Sequence, residues 1–386
     1  MIPPPFLDPL VIRSCCADAG LAANYAQAFV DFAAGVRADP ELARQATAAR
    51  DHLFDATGTE DETVARAEAA FGDDAHLLRG LMLLESIRLV RERQNARGVP
   101  ADITHATLDH HPCSTLRDYA AQHGRAGADR WIWSWYRTVG SGDLYRLGRL
   151  EFIPEKWVLP FRFFVHTQTG ETLAILDAGE RFDDEGYNTG ATTWATTLTE
   201  TDEAIVGCPI SPRGFALQAP VRLPRREWRL ALGPGDTVLD MHIPGDEPLA
   251  IEPVRSALLS AEPFFDHFYP EQRFVAYVCD SWVFSTQLEA MLPPESNILR
   301  MQCEGYLFPV GDGQAPFLNF TFGATSIDLA TAPRDTRLRR AVIAHMEKGG
   351  TLRCGGFLLL RRDLARFGEK PYRNYSHYSG LAPNLR

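Results

Sequence analysis

Two short stretches of the sequence place chemically active side chains where an apolar strand gives way to a turn. VLDMHIPGDEPL carries His242 at the end of its strand-like run, and YVCDSWVF carries Cys279, Asp280 and Ser281 in a similar position. An imidazole can act as a general base near neutral pH. A cysteine beside such a base can act as a nucleophile. These residues predict a catalytic site with His242 as the base and Cys279 as a possible nucleophile.

Each of these residues also has a structural interpretation. His242 can be a core histidine bonded to a neighbouring carbonyl group. Cys279 can be a small apolar residue that fills a buried strand. Asp280 and Ser281 can cap the end of that strand instead of binding a substrate.

The elements that must position these residues fall into two classes along the chain. From about 22 to 122 the sequence is rich in Ala, Leu, Arg and Glu. Its clearest helix has apolar residues at three- and four-residue intervals from Leu77 to Val90, and Gly98 stops it. This pattern predicts an all-helical N-terminal domain over residues 1–140.

Beyond about Gly142 the pattern changes to period two, which is typical of strands. We predict an α/β (α+β) domain with a mixed sheet over 141–386, consisting of a β-rich leading part at 143–230 and a core at 231–360. The run FLNFTFGA is predicted to be one of its strands. The core elements are predicted as strand Thr237–Ile243, helix Glu252–His267, strand Arg273–Trp282, short helix Ser285–Met291 and strand Ile298–Phe308.

The turn after His242 has the features of an anion site. It contains Gly245 and leads into a helix, and the free N–H groups and positive dipole end of a helix N-terminus attract phosphate. Asp246 and Glu247 in the same turn would repel a phosphate if their side chains faced it.

The order of the core elements resembles that of the GNAT-like acyltransferases, in which a strand leads through a pyrophosphate-binding loop into a helix and the next strand splays away. The stretches LYRLGRLEF, HIPGDEPL, CDSWVFSTQLEAMLPPESNI and HMEKGGTLRCGGF are similar to a bacterial subfamily with a helical N-terminal acyltransferase domain and a GNAT-like C-terminal domain. The resemblance implies an N-acyltransferase that moves an acyl group from coenzyme A to an amine of a small molecule or peptide.

The resemblance also implies roles for individual residues. His242 would be the general base, while Asp280 and Ser281 would bind the acceptor amine or the pantetheine amides. Coenzyme A would contact Ile243, Gly245, Leu249, Trp282 and Asn297. The substrate would contact Arg149 and Glu151 of LYRLGRLEF and Arg300 and Gln302 of LPPESNILRMQCEGY. An internal salt bridge of Arg149, and a solvated strand face carrying Arg300, Gln302 and Glu304, are the structural alternatives.

Two other functions remain open from the sequence. One is an acyltransferase or hydrolase that uses Cys279 as the nucleophile and His242 as its base. The other is a non-catalytic small-molecule-binding protein with a degenerate GNAT fold, in which the acidic turn reflects lost cofactor binding.

Composition excludes several partners. A net charge of −11 argues against a nucleic-acid-binding protein, which normally presents a basic face. No apolar run approaches the roughly 18 residues that span a bilayer. The N-terminus lacks the pattern of a secretory signal, so we predict a cytoplasmic protein that does not bind membranes. Its seven cysteines include no C-x-x-C pair and are predicted to be reduced.

The stretch LDHHPC has metal-binding atoms in Asp109, His110, His111 and Cys113. Adjacent histidines in a regular helix or strand point apart, and the sequence offers no matching second pair. The sequence therefore predicts no metal site.

Overall fold

The computed structural model of the protein describes residues 4–55, 62–129, 133–188, 191–311 and 313–373. The chain forms two compact units. The first comprises Met1–Leu147 and Glu151–Ile153, and the second comprises Gly148–Leu150 and Pro154–Arg386. Among the described helices none is long and apolar enough to cross a membrane.

The first unit is built from helices. They are α1 (Pro9–Asp18), α2 (Ala23–Ala38), α3 (Pro40–Phe54), α4 (Glu62–Phe71), α5 (Ala75–Arg97), α6 (Ala101–Leu108), α7 (Ser114–His123) and α8 (Trp133–Gly140). The long helix α5 buries Leu78, Leu81 and Ile87 in the core of this unit. It ends at Gly98, which adopts the left-handed conformation (φ 79°) that favours glycine. The predicted helical N-terminal region is confirmed.

Two features interrupt the helical pattern of the first unit. A π-helical segment, Asp109–Cys113, separates α6 from α7, and His111 within it has extended backbone angles (φ −137°, ψ 132°). A pair of strands, β1 (Tyr145–Leu147) and β2 (Leu150–Lys156), follows α8. The β1 end of this hairpin is attached to α6, because the Arg146 N–H donates to Thr107 Oγ1 at 2.9 Å.

The second unit contains antiparallel strands before its mixed sheet. They are β3 (Phe161–His166), β4 (Thr172–Leu176), β5 (Arg181–Phe182), β6 (Trp194–Ala195), β7 (Leu198–Glu200), β8 (Ala204–Gly207), β9 (Pro209–Ser211), β10 (Phe215–Ala216), β11 (Val221–Pro224) and β12 (Trp228–Leu232). A five-stranded sheet has the order β10-β9-β4-β3-β12, a three-stranded sheet the order β11-β8-β7, and β5 pairs with β6.

The mixed sheet carries the predicted core. Its remaining elements are β13 (Thr237–His242), α9 (Ile251–Phe268), β14 (Phe274–Ser281), α10 (Asn297–Glu304), β15 (Tyr306–Pro309), α11 (Gln314–Phe322), α12 (Arg337–Glu347) and β16 (Gly355–Leu360). From β2 the strand order is β2-β13-β14-β16-β15. β13 and β14 are parallel and α9 connects them, whereas β16 is antiparallel to both β14 and β15. The predicted mixed-sheet fold is confirmed.

Two predicted strands in this core are wrong. The first half of Ile298–Phe308 is the helix α10, so only its end forms a strand, β15. Ser296 caps α10 by accepting the Leu299 N–H, and the helix buries Leu299 and Gln302 at helical spacing. The stretch FLNFTFGA likewise forms most of helix α11, which buries Phe317 and Leu318. Short alternating apolar runs do not distinguish a strand from a buried helix.

Candidate active site

His242 is the last residue of β13, and it lies beside a carboxylate on the same strand. Because side chains alternate along a strand, residues two apart share a face, and Asp240 is two residues before His242. The His242 Nε2 atom lies 3.2 Å from the Asp240 Oδ2 atom. The two side chains are 31% and 24% exposed, so solvent and ligands can reach both.

A third ionisable group, Glu155 of β2, belongs to this cluster. Desolvation raises the pKa of Glu155, the negative charge of Asp240 raises it further, and His242 opposes these effects by lowering it. The sequence analysis missed both Asp240 and Glu155. Strand alternation from His242 was a usable signal for Asp240. No local signal pointed to Glu155, because β2 and β13 are 80 residues apart and become neighbours only in the sheet.

The two parallel strands of the sheet stop pairing close to His242. Their register runs from Thr237 opposite Phe274 to Asp240 opposite Val278. β14 continues to Ser281, and over this last stretch it pairs with β16. One edge of β14 beyond Val278 is therefore outside the pairing with β13, and His242 is at the corresponding end of β13.

Cys279 follows Val278 on β14 and is 3% exposed. Burial raises the pKa of its thiol well above the ordinary value, and Asp240 and Asp280 raise it further. A nucleophilic cysteine requires the opposite environment, one that stabilises the thiolate. Of the seven cysteines, which all lie among the described residues, none forms a disulfide.

The loop between β13 and α9 is held by an arginine from the turn between β1 and β2. Arg149 is 4% exposed and donates from Nη2 to the Glu247 carbonyl oxygen at 2.6 Å and from Nε to the Pro248 carbonyl oxygen at 3.1 Å. The acidic side chains of Asp246 and Glu247 are exposed. Arg149 thus contacts the loop backbone, and its predicted substrate contact remains untested.

The N-terminus of α9 follows this loop at Ile251, with Ala250 as a cap residue whose side chain makes no capping hydrogen bond. Glu252 follows in the first turn, and Pro253 has no N–H to satisfy. Gly245 is exposed and Leu249 is buried. Ile243, which follows His242 in sequence, is half-buried. The loop and helix start therefore present backbone donors of the kind that bind phosphate groups.

The other residues predicted around β14 have diverse surroundings. The hydroxyl oxygen of Ser281 accepts the Val283 N–H at 3.4 Å, which is a capping contact. Asp280 is exposed and lines a cavity of about 140 Å³ together with Leu159, Phe161 and Ile210. The Trp282 ring packs against Phe317 with centroids 5.5 Å apart.

The residues predicted to form one polar strand face are instead on helix α10. Gln302 is buried and donates to the carbonyl oxygens of Val283 and Ser285, at 2.7 and 3.0 Å. Glu304 is buried and accepts the Gly368 N–H at 2.7 Å. Arg300 is exposed, and Asn297 is the first residue of the helix. A shared strand face for Arg300, Gln302 and Glu304 is therefore wrong, because the segment is helical.

Glu151 belongs to the first unit, whereas the other predicted site residues belong to the second. Its side chain is completely buried and its carboxylate lies near the imidazoles of His110 and His111.

Comparison with known proteins agrees with this architecture. The family model of the GNAT-like C-terminal domain matches residues 144–358. The model of the N-acyltransferase N-terminal domain matches residues 12–139. No curated protein sequence matches the chain significantly.

Several solved structures share the fold. An acyltransferase mutant in complex with octanoyl-CoA has a TM-score of 0.57 and 20% identity, with 90% of this chain and 87% of that chain covered. An acyltransferase in complex with decanoyl-CoA and teicoplanin has a TM-score of 0.56 and the same identity and coverage. A third acyltransferase structure, with CoA and 10C-teicoplanin, has a TM-score of 0.57 and 20% identity, and again covers 90% of this chain and 87% of that chain.

At this identity the structural likeness establishes the fold, whereas the match to the GNAT-like C-terminal domain extends over more than half of the chain. The chain therefore belongs to the GNAT-like acyltransferase family, with an N-acyltransferase N-terminal domain followed by a GNAT-like C-terminal domain.

Proposed function

We propose that the protein transfers an acyl group from an acyl-coenzyme A thioester to an amine of a small molecule or peptide. The observation that carries this proposal is the pairing of His242 with Asp240 at the point where β13 and β14 stop pairing. An accessible base there lies next to the end of β14, which extends beyond its pairing with β13. Acyl transfer needs a base for the amine proton and hydrogen-bond donors for the developing oxyanion.

Direct transfer from the thioester fits the groups present. The amine nitrogen forms a bond to the thioester carbonyl carbon, and His242 accepts the amine proton. The C–S bond of the resulting tetrahedral intermediate breaks, and the thiolate of coenzyme A leaves with a proton from the imidazolium. Asp240 stabilises the imidazolium because an adjacent negative charge favours the protonated form of histidine.

Coenzyme A is proposed to bind along β14 and at the start of α9. The pantetheine amides are proposed to contact the backbone of β14 beyond Val278, where the pairing with β13 ends, and a backbone N–H is proposed to donate to the oxyanion. The pyrophosphate is proposed to lie near Gly245 and the first turn of α9, with Ile243, Leu249, Trp282 and Asn297 as further contacts. Arg149 supports this site indirectly, since it fixes the loop through two backbone carbonyls.

Direct transfer is favoured over a covalent intermediate on Cys279. The raised pKa of the buried thiol leaves little thiolate near neutral pH. We expect Cys279→Ser to retain turnover, and intact-protein mass spectrometry to detect no acyl adduct after incubation with decanoyl-CoA. An adduct that disappears in Cys279→Ser would establish the covalent mechanism instead.

The acceptor is proposed to carry an amine next to an apolar group. Asp280 lies on a small cavity that Leu159, Phe161 and Ile210 help to line, so its carboxylate can accept a hydrogen bond from the neutral amine while the apolar wall contacts the rest of the acceptor. One structural relative was solved with both decanoyl-CoA and teicoplanin. Teicoplanin, decanoyl-CoA and octanoyl-CoA are therefore the first substrates to examine.

The first experiment is a thermal-shift titration with coenzyme A, octanoyl-CoA and decanoyl-CoA. A ligand at 100 times its dissociation constant stabilises the folded state by about 2.7 kcal/mol. We expect stabilisation by at least one thioester, followed by release of coenzyme A thiol when an amine acceptor is added. No shift with any of the three would contradict the proposed co-substrate. Binding of a thioester without turnover on any amine would favour the non-catalytic alternative.

The cytoplasmic location is likewise a proposal. Fractionation of cells that express the native chain tests it, and recovery of the protein in the membrane or secreted fraction would contradict it.

A further inference from the structure

The segment His110–His111, for which the sequence predicts no metal site, has an unusual backbone. In a regular helix these neighbouring side chains would point apart. Here His111 has extended backbone angles inside the π-helical segment Asp109–Cys113, so the helical spacing is broken between the two residues. The two imidazole rings consequently lie next to each other in an edge-to-face arrangement, with centroids 4.3 Å apart and planes at 68°.

A carboxylate from a distant part of the sequence completes a group of three. Glu151 of β2 is fully buried, and its carboxylate oxygen and one nitrogen from each imidazole all lie within 4.8 Å of one another. Glu151 belongs to the hairpin of β1 and β2. The hydrogen bond from Arg146 to Thr107 attaches this hairpin to α6 just before the irregular segment Asp109–Cys113. All three side chains belong to the first unit.

We propose that His110, His111 and Glu151 form a binding site for a divalent transition-metal ion, with zinc as the best match. Two imidazoles and one carboxylate are a ligand set that zinc uses when it keeps a coordination position for water or a ligand. The ligand atoms of a tetrahedral zinc ion are about 2.0–2.2 Å from it, so any two of them are about 3.3–3.6 Å apart. The three atoms lie within 4.8 Å of one another, so the side chains must move closer together to bind the ion.

The electrostatics of the group also suit a cation. A fully buried carboxylate is costly unless it is paired, hydrogen-bonded or bound to a metal. With neutral imidazoles, a divalent ion would more than balance the charge of Glu151, and the half-buried histidines leave a route by which the ion can enter. The competing explanation is a metal-free cluster in which a protonated imidazole pairs with Glu151.

Metal titration of the full-length protein separates these two explanations. The protein is freed of metal with a chelator, titrated with Co²⁺ as a spectroscopic substitute for zinc, and followed by visible absorption. In competition experiments Zn²⁺ should displace Co²⁺ at one ion per chain. We expect the intense d–d bands of a low-coordinate Co²⁺ ion and a raised melting temperature when Zn²⁺ is added to the metal-free protein.

Variants connect this binding to the three residues. His110→Ala and Glu151→Gln should each weaken metal binding by more than about 100-fold, since loss of an outer-shell partner alone costs 10- to 100-fold. His105→Ala is the matched control, because His105 is an exposed histidine on α6 outside the group. His110 is only half-buried, so its alanine variant is expected to fold even if Glu151→Gln does not.

The absence of d–d bands and of a zinc-dependent melting shift in the wild-type protein would overturn the proposal. Equal metal affinity in wild type and His110→Ala would overturn it as well, because the ion would then bind elsewhere. This inference does not depend on the proposed acyl transfer, and its experiments need no acyl substrate.

Discussion

The protein has two histidine clusters that its sequence presents very differently. His242 stands at the end of a regular strand, and the periodicity of that strand places Asp240 on the same face. His110 and His111 stand where a helix loses its regular geometry, and that irregularity brings their rings together. The first cluster can be predicted from the sequence because it lies on a regular strand. The second depends on a backbone irregularity and on Glu151, which is about 40 residues away in the sequence.

The largest effect is expected from removing the base of the regular cluster. His242→Ala should lower turnover by about 10²–10⁴-fold, the range that general-base catalysis contributes. Coenzyme A affinity should change little, because the proposed contacts to the cofactor come from the loop and β14. Steady-state kinetics with a thermal-shift titration measure the two quantities, and His267→Ala, an exposed histidine of α9, is the control. Unchanged turnover would exclude His242 as the general base, and the regular cluster would then have no catalytic role.

A comparably large effect is expected at the irregular cluster, measured as stability. Zn²⁺ at 100 times its dissociation constant should stabilise the wild-type protein by about 2.7 kcal/mol. In His111→Ala this zinc-dependent part should vanish, whatever the stability of the metal-free variant. Denaturant unfolding with and without Zn²⁺ measures it. Equal zinc stabilisation of both proteins would show that His111 does not bind the ion and that the two adjacent imidazoles only pack against each other.

Asp240→Asn should have a smaller effect on turnover than loss of the base itself. The amide keeps the shape of Asp240 but removes the charge that stabilises the imidazolium, so we expect a decrease of about 10- to 100-fold, a part of the general-base contribution. The ascending limb of the pH–rate profile should also shift toward lower pH, because without the carboxylate His242 gives up its proton more readily. If the variant has the wild-type rate and pH profile, then Asp240 does not assist His242 in catalysis.

The shift of the pH–rate profile in Asp240→Asn follows from the charge of the carboxylate. A neighbouring carboxylate favours protonated histidine, so its removal lowers the pH at which the free base forms. The ascending limb of the profile should therefore move to lower pH in Asp240→Asn, while the maximal rate falls. An ascending limb that moves to higher pH would contradict the assignment of His242 as the base.

Arg149→Met is expected to act on cofactor binding. It removes two hydrogen bonds from a charged donor to the loop carbonyls, and the loop that precedes α9 should lose its fixed geometry. We expect the dissociation constant of coenzyme A to rise about tenfold, which corresponds to about 1.4 kcal/mol. Isothermal titration measures it, and Arg149→Lys should recover only part of the loss because lysine lacks the fork geometry. Unchanged affinity would show that the loop geometry fixed by Arg149 does not contribute to coenzyme A binding.

The smallest effect is expected from Glu155→Gln. Because folding raises the pKa of Glu155, the unfolded chain loses its proton at a lower pH than the folded protein does. Stability linked to this group is therefore complete below about pH 4.3 and declines as pH rises toward the folded pKa. The variant should melt at a slightly higher temperature than wild type at neutral pH, and the difference should shrink on acidification. A difference independent of pH would contradict the raised pKa of Glu155, which desolvation and then the charge of Asp240 cause.

Much of the fold could be predicted from the sequence because its elements are long and periodic. The helix α5 and the β13–α9–β14 unit have bounds close to those expected. The segment of α10 was predicted as a strand because eight residues of mixed polarity fit either period, and only the Ser296 cap and packing of Leu299 and Gln302 decide in favour of a helix.

The candidate site was predictable only where it follows one strand. His242 and its turn were identified, and Asp240 lay within reach of the same argument. Glu155 and the loop contact of Arg149 depend on which strands and turns become neighbours in the sheet, and the sequence of one chain does not specify this. The pairing of His110 with His111 required the backbone angles themselves.

The contact between Arg149 and the loop also bears on how freely the loop can change during evolution. Arg149 holds the carbonyl oxygens of residues 247 and 248, which every amino acid possesses, so the shape of the loop makes few demands on its side chains. The exposed position Glu247 is accordingly open to substitution, because Arg149 binds its carbonyl oxygen and not its side chain. A designed neutral or basic residue at this position would change the charge of the loop and keep the contact that shapes it.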